Sequence, residues 1–142
     1  MKNTYSTNIN LPQIDFALLF FRIGISALML VHGISKVIML FGSEEIVFVD
    51  LFGIGEEPTL ALAVFAEFIC SILIIIGLGT KLAAIPLIIT MVVAAFYIHA
   101  TDGWGRQELP VFYLLGYLFL FYTGSGKYSL DHFLLKRKKE KS

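Results

Sequence analysis

Four apolar segments alternate with short polar stretches along this chain of 142 residues. A helix that spans a bilayer needs about 20 predominantly apolar residues, and each segment reaches or approaches that length. The predicted helices cover residues 14–40, 59–78, 82–100 and 109–123. The connections are short, so successive helices are expected to be antiparallel. The pattern therefore predicts an all-α membrane protein with one domain, built as an antiparallel bundle of four transmembrane helices.

Prolines and one acidic connection mark the ends of these helices. Pro58 and Pro110 are predicted at the starts of helices 2 and 4, where a missing N–H costs little, and Pro86 is predicted to tilt helix 3 slightly. The first apolar run is too long for a cleaved signal peptide and contains charges, so it is interpreted as a retained signal-anchor. The acidic connection 42–58 is interpreted as an interfacial turn, with a re-entrant flap over a site as the alternative.

Composition favours a protein that faces lipid. Hydrophobic residues make up 57% of the chain and charged residues 15%, whereas soluble domains are typically about 45–50% apolar and about 25% charged. A soluble fold of this size cannot bury so much apolar surface, so lipid must cover part of it. The chain has one cysteine, Cys70, and a single thiol excludes an internal disulfide and a dithiol redox pair.

Basic residues lie mainly in three regions: Lys2 near the N-terminus, Lys81 in the turn between helices 2 and 3, and the tail 127–142. Lysine and arginine in short loops favour the cytoplasmic side. Both termini are therefore predicted to be cytoplasmic, in the inner, cytoplasmic membrane. Ser129 is predicted to cap the basic tail segment, whose lysines would attract anionic lipid headgroups. Such a tail is typical of a topology anchor, and no nucleic acid is expected as a partner.

Ionisable side chains inside the predicted spans point to a functional interior, because lipid penalises each of them. Arg22, His32 and Lys36 fall on one face of helix 1 at about 100° per residue. Glu67 is the single charge of helix 2, and its predicted depth puts it within reach of Arg22 or His32. The alternative is a purely structural Arg22–Glu67 ion pair that sets the register of the two helices.

A second polar group is predicted at the outer end of the bundle. His99 closes helix 3, Glu108 opens helix 4, and Trp104 lies in the connection between them. With Lys36 at the same height and Tyr113 on helix 4, these residues would form a polar, aromatic-walled pocket. Ordinary interface residues are the alternative for His99 and Trp104. Haem ligation by His32 and His99 is disfavoured, since no second pair of haem ligands exists. A metal site formed by His32, His99, Glu67 and Glu108 is disfavoured as well.

Short motifs follow one another along the helices and turns. In chain order they are Arg22-Ile-Gly, His32-Gly33-x-x-Lys36, Ala66-Glu67, Gly77-Leu78-Gly79-Thr80-Lys81, Met91-x-x-Ala94 with His99, Glu108, and Gly124-x-Gly126-x-Tyr128-Ser129-Leu130-Asp131. Each is weak alone, but the ordered set resembles the DoxX family of small four-helix bacterial and archaeal membrane proteins. The resemblance implies the four-helix fold and a membrane location. Some members of that family are described as quinone-linked redox subunits, which implies a redox role.

The leading functional interpretation is a quinone-linked redox subunit or a quinone-binding membrane component. Glu67, His99 and His32 are the candidate catalytic residues, since each can exchange a proton with a quinone oxygen. The candidate cofactor-binding residues are Arg22, Lys36, Glu108, Trp104 and Tyr113. Of these, the two cationic side chains would stabilise a developing oxyanion. A redox partner protein or a bound cofactor would have to deliver the electrons.

Two other functions stay open at this point. A non-catalytic scaffold or assembly factor would use the charged pairs only to specify packing. A small-solute transporter is less favoured, because the chain has no inverted repeat and no pair of broken helices, and because four spans are few unless the protein forms a homo-oligomer. The sequence leaves undecided whether the protein is an enzyme.

Overall fold

The computed structural model describes residues 7–142, and Lys2, on which the predicted orientation partly depends, lies outside them. Four long helices occupy these residues: α1 Leu11–Phe41, α2 Glu56–Ile76, α3 Thr80–Ile98 and α4 Trp104–Thr123. A shorter helix, α5, covers Leu130–Lys141. No strand occurs in the described part of the chain, so the prediction of an all-helical fold is confirmed there.

Helices α1, α2 and α3 are long and apolar enough to cross a membrane. Helix α4 has 20 residues and packs most extensively against α3, while α1 packs mainly against α2. The connections 77–79 and 99–103 are short, so α2 and α3, and α3 and α4, run antiparallel. The chain is therefore a multi-pass membrane protein whose apolar helices associate with lipid.

Helix α4 starts earlier than the sequence predicts. It begins at Trp104, after Gly103, whose φ of 84° suits glycine. Pro110 therefore lies inside the helix, and the prediction that it starts the helix was wrong. The extra turn is tied to α3 because the Gln107 side chain donates a hydrogen bond to the carbonyl oxygen of Ala95 at 3.1 Å. This turn is too polar to be recognised from apolar periodicity alone.

The bundle has one apolar core and an apolar exterior. Met29, Cys70, Leu87 and Tyr117 are among the buried core residues, each at most 1% exposed. Several large apolar side chains point outward instead, and the following are more than half exposed: Phe20, Leu28, Leu62, Leu82 and Phe112. Exposed apolar surface of this extent is rare in soluble monomers, and it fits a surface covered by lipid chains.

The turn between α2 and α3 interlocks with the segment before α5. The Asp131 carboxylate accepts hydrogen bonds from the N–H groups of Gly79 (2.8 Å) and Thr80 (3.3 Å), and from the Ser125 hydroxyl (3.2 Å). The Asp131 N–H donates to the carbonyl oxygen of Gly77 at 2.9 Å. A carboxylate at the start of α3 satisfies N–H groups that a helix leaves free, as an N-cap does. We refer to these five residues as the tail lock.

Helix α5 begins as the sequence predicts. The Ser129 hydroxyl oxygen accepts a hydrogen bond from the N–H of His132 at 3.2 Å, so Ser129 is the predicted N-cap. The last turn of α5 carries three lysines, and no residue of this helix is buried. The basic tail is therefore an exposed helix anchored to the bundle through its first turn.

Candidate functional site

Arg22 is bound by backbone near the tail lock and does not pair with Glu67. Its guanidinium donates hydrogen bonds to the carbonyl oxygens of Ser125 (2.7 Å) and Tyr128 (2.5 Å), and the residue is 2% exposed. Glu67 instead meets α1 at Gly33, which lies about 16 Å further along that helix than Arg22 at roughly 1.5 Å per residue. The predicted Arg22–Glu67 pair is therefore wrong, because helix register separates the two side chains.

Two π-helical segments lie next to the candidate residues. Helix α2 is π-helical over Phe65–Cys70, which includes Glu67, and α3 is π-helical over Ala94–Ile98, directly before His99. A π-helical turn contains an extra residue relative to an α-helix and is frequent at functional sites. At the first segment Gly33 contacts the Glu67 backbone so closely that a Cβ on Gly33 would lie 2.6 Å from its carbonyl oxygen. The backbones of α1 and α2 are thus in close contact at Glu67.

Glu67 forms an ion pair with Lys36. The Lys36 Nζ lies 2.6 Å from the Glu67 Oε2, and the two side chains are 22% and 7% exposed. A charge-assisted hydrogen bond of this length is stronger than a neutral one, and burial of the carboxylate makes the partner necessary. The pair joins α1 to α2 one turn of α1 beyond the Gly33 contact.

A cleft of about 210 Å³ lies beside this ion pair. All four long helices contribute to it, and its lining residues are Met29, His32, Lys36, Glu67, Met91, Ala94, His99, Arg106, Leu109, Pro110 and Tyr113. The lining combines apolar surface with a few convergent charged and imidazole groups, which is typical of small-molecule sites. The structure thus brings together five of the residues predicted from sequence: His32, Lys36, Glu67, His99 and Tyr113.

An imidazole and a phenol meet inside the cleft. The rings of His32 and Tyr113 have centroids 6.1 Å apart and an interplanar angle of 86°, an edge-to-face geometry that aromatic rings favour. Tyr113 also stacks on Tyr117 of the core, with centroids 6.4 Å apart and an angle of 14°. Tyr113 is 5% exposed whereas His32 is an exposed residue. The phenol is therefore held by the core, and the imidazole is the more accessible of the two groups.

The loop between α3 and α4 and the first turn of α4 hold a charged cluster at the cleft. The His99 Nδ1 lies 2.8 Å from the Asp102 Oδ2, and the Arg106 guanidinium lies 3.7 Å from the same oxygen. The hydrogen bond with His99 lowers the pKa of Asp102, and the charge of Arg106 acts in the same direction. A carboxylate that is hydrogen-bonded to one ring nitrogen orients an imidazole and leaves its other nitrogen available to contact a ligand. Asp102 thus positions His99 and Arg106, which both line the cleft.

Three residues predicted for the site do not line the cleft: Arg22, Trp104 and Glu108. Arg22 is held near the tail lock, as described above. Trp104 is 62% exposed and Glu108 is also exposed. These two residues lie one turn apart on α4. The residues of α4 that reach the cleft lie on another face of the helix: Arg106, Leu109, Pro110 and Tyr113.

The apolar part of the cleft was missed by sequence reasoning. Met91, Leu109 and Pro110 line it, but an apolar residue in an apolar segment carries no signal that distinguishes it from a core residue. Arg106 was predicted only as a loop residue. An earlier start of helix 4 would have placed it one turn before Pro110, and so on the side of the helix that faces the cleft. Among residues 7–142, no three His, Cys, Asp or Glu side chains are placed to hold a metal ion together.

Comparison with known proteins identifies a family and similar chains. The model of the DoxX family matches residues 17–100. A protein of Haemophilus influenzae described as uncharacterized is 31% identical over 130 residues, which cover 86% of this chain and 93% of that protein. An uncharacterized membrane protein of Mycobacterium tuberculosis is 36% identical over 87 residues, which cover 50% of this chain and 52% of that protein. No solved structure matches the chain.

Proposed function

Since this chain belongs to the DoxX family, we propose that it is a quinone-binding membrane subunit that works with a redox partner protein. The quinone head group binds in the cleft between the four long helices. The observation that carries this proposal is the convergence of an ion pair, two imidazoles and a phenol on one small cleft. Lipid penalises each of these groups, and a purely structural bundle would need only one pair.

The chemistry of the lining fits the two oxygens of a quinone ring. Quinone oxygens accept hydrogen bonds, and they become anionic as electrons arrive. Lys36 supplies a cation that stabilises such an oxygen, and it can turn from Glu67 to the ligand since its side chain is 22% exposed. His99 has one ring nitrogen bound to Asp102, so its other nitrogen can exchange a proton with the second oxygen.

The size of the cleft suits a single ring. Sites for drug-sized ligands measure about 300–1,000 Å³, whereas this cleft measures about 210 Å³. Met91, Leu109 and Pro110 supply the apolar surface that a flat ring requires. An isoprenoid tail would then extend from the cleft into lipid, which already covers the apolar exterior of the bundle.

Conversion of a quinone to a quinol consumes two electrons and two protons. Glu67, His32 and His99 are the proton-exchanging groups of the cleft. The chain contains one cysteine, Cys70, and it is buried, so no dithiol of this chain supplies the electrons. The electron donor in this proposal is therefore a separate redox protein bound to the same membrane.

The proposal includes a membrane arrangement. Helix α4 is taken as the fourth span, antiparallel to α3, and both termini are placed on the cytoplasmic side of the inner membrane. This arrangement puts Lys81 and the lysines of α5 at one end of the bundle and the acidic connection 42–58 at the other end. The distribution agrees with the preference of basic residues for the cytoplasmic side. The cleft then lies in the outer half of the membrane.

The test measures quinone that is retained by the protein after purification in mild detergent. Wild type, His99→Ala and the matched control His132→Ala are compared by mass spectrometry and by thermal unfolding, since His132 lies at the exposed start of α5. We expect His99→Ala to lose about 90% of the bound quinone, equivalent to about 1.4 kcal/mol, with little change in melting temperature. Equal quinone in all three proteins would contradict the proposal, and a co-purifying protein would then favour the scaffold function.

A further inference from the structure

A groove of about 500 Å³ lies between α5 and the end of the bundle at which α3 begins and α4 ends. Its lining includes two lysines, Lys81 and Lys138, and three leucines, Leu82, Leu134 and Leu135. We refer to the groove formed by these five residues as the tail groove. None of the five lines the cleft described above, so the tail groove is a separate feature of the molecule.

The two ammonium groups of the tail groove have no anionic partner. Within residues 7–142 neither Lys81 nor Lys138 forms an ion pair or a side-chain hydrogen bond. The stem of Lys81 packs over the turn after α4, where a Cβ on Gly124 would lie 3.2 Å from the Lys81 Cε. The carboxylate at this groove, that of Asp131, already accepts three hydrogen bonds within the tail lock. Both lysines are therefore free to bind an anion from outside the chain.

The first turn of α3 adds further donors at the tail groove. A helix leaves the N–H groups of its first turn without acceptors inside the helix. The Asp131 carboxylate accepts the N–H groups of Gly79 and Thr80. No described residue accepts the next two, those of Lys81 and Leu82. Thr80 also lines the groove, and its buried hydroxyl has no partner in the described chain. Unpaired donors beside two cations, at the positive end of a helix dipole, favour a bound anion.

The leucines give the tail groove an apolar side at the membrane surface. Leu82, Leu134 and Leu135 are 74%, 48% and 61% exposed, so the protein leaves much of their surface uncovered. The groove lies at the start of α3, a helix long and apolar enough to cross a membrane. This level corresponds to the boundary between the hydrocarbon core and the headgroups, where lipid phosphates and acyl chains meet. A molecule that carries both groups fits the groove better than a water-soluble anion.

We propose that the tail groove is a binding site for one anionic phospholipid. The phosphate binds between Lys81 and Lys138, beside the unpaired N–H groups at the start of α3, and an acyl chain follows the three leucines. Basic pockets between transmembrane helices bind anionic headgroups in this way. The site differs from the diffuse attraction expected of a basic tail, because two particular lysines form it. It does not depend on the proposed quinone function.

The test measures lipid binding to the full chain in mild detergent by native mass spectrometry. Phosphatidylglycerol is compared with phosphatidylcholine of the same acyl chains, whose phosphate is joined to a cation that the two lysines repel. We expect one phosphatidylglycerol to bind at least about tenfold more tightly, and Lys81→Gln/Lys138→Gln to abolish this preference. The matched variant Lys136→Gln/Lys139→Gln removes the same charge from α5 outside the groove. It should keep the preference within about twofold, since salt screens distant exposed charges. Equal losses in both double variants would overturn the site.

A second titration separates the lipid from its headgroup. Inorganic phosphate and glycerol phosphate share the anionic chemistry but lack the acyl chains, so neither should displace bound phosphatidylglycerol at about a hundredfold excess. Leu82→Gln should weaken lipid binding about fivefold, because it removes apolar contact from the groove. Leu62→Gln is the matched control, since Leu62 is 59% exposed on α2 and lies outside the groove. Displacement by either anion, or equal lipid binding by the two leucine variants, would overturn a phospholipid as the occupant.

Discussion

Gly33 of α1 lies directly against the backbone of Glu67 in α2. A Cβ on Gly33 would lie 2.6 Å from the Glu67 carbonyl oxygen and 2.9 Å from the N of Phe68. Real Cβ atoms do not approach backbone atoms this closely, so only glycine permits the contact. The contact occurs within the π-helical segment of α2, one turn of α1 before Lys36, and it brings Lys36 within 2.6 Å of the carboxylate.

Replacement of Gly33 by alanine is expected to destabilise the protein. The added methyl group would meet backbone rather than a flexible side chain, and overpacking of this kind costs about 1–3 kcal/mol. The measurement is thermal unfolding in detergent. Gly24→Ala is the matched control, since a Cβ on Gly24 meets nothing within 4 Å and alanine favours a helix by about 0.5–1 kcal/mol over glycine. Equal melting temperatures for the two variants would contradict the close contact.

The Lys36–Glu67 pair is expected to show coupling in a double-mutant cycle. Lys36→Gln and Glu67→Gln each leave one charge without its partner, and contacting charged residues typically couple by about 0.5–3 kcal/mol. The double variant should therefore lose less stability than the sum of the single variants, as measured by unfolding in detergent. The matched cycle pairs Arg22→Gln with Glu67→Gln, and it should be additive within about 0.5 kcal/mol. Coupling in the second cycle alone would refute the observed pairing.

The contact between His99 and Asp102 is expected to weaken at low pH. The hydrogen bond with His99 lowers the pKa of Asp102 from 3.8, so this carboxylate contributes stability that is present above pH 3.8. That contribution is lost as the pH falls through the lowered pKa, because protonation removes the charge. The readout is the ring-proton chemical shift of His99 in an NMR titration. A transition of equal size in Asp102→Asn would show that another group is responsible.

The membrane orientation is expected to appear in reporter fusions. Fusions after Glu57 and after Arg106 should report the outside, and fusions after Thr80 and after Ser142 should report the cytoplasm. The physical reason is the preference of lysine and arginine for cytoplasmic loops. An internal signal from the fusion after Glu57 would reverse the orientation. An outside signal from Ser142 alone would instead exclude α4 as a fourth span.

Much of the fold follows from local patterns in the sequence. Long apolar segments form membrane helices because lipid satisfies no backbone hydrogen bond. Ser129 was identified as a cap because its hydroxyl acts on the next turn of the same chain. The resemblance to the DoxX family was confirmed over residues 17–100. The starts of α1 and α2 lie three residues earlier than predicted. The start of α4 was misplaced furthest, by five residues, because its first turn is polar and depends on a contact with Ala95 of α3.

The sequence also indicated which polar groups share one depth in the bundle. Rise per residue is nearly constant along a helix, so His32, Lys36, Glu67 and His99 were expected at similar heights, and the structure brings all four to one cleft. Trp104 and Glu108 were expected there too, but they face away because rotation of α4 about its own axis is set by packing. Height is a local property of each helix, whereas rotation is a property of the assembled bundle.

Which charged side chains pair with one another was decided only by the tertiary structure. Arg22, His32 and Lys36 were all candidate partners of Glu67 in the sequence, yet Arg22 binds the carbonyl oxygen of Ser125, 103 positions away. Backbone carbonyls have no sequence signature, so a segment beyond the last span could not be predicted as the partner of Arg22. The π-helical turn and the Gly33 contact then set the register that joins Glu67 to Lys36. A few ångströms of helix register determine which buried charges meet, because hydrogen bonds act only at contact distance.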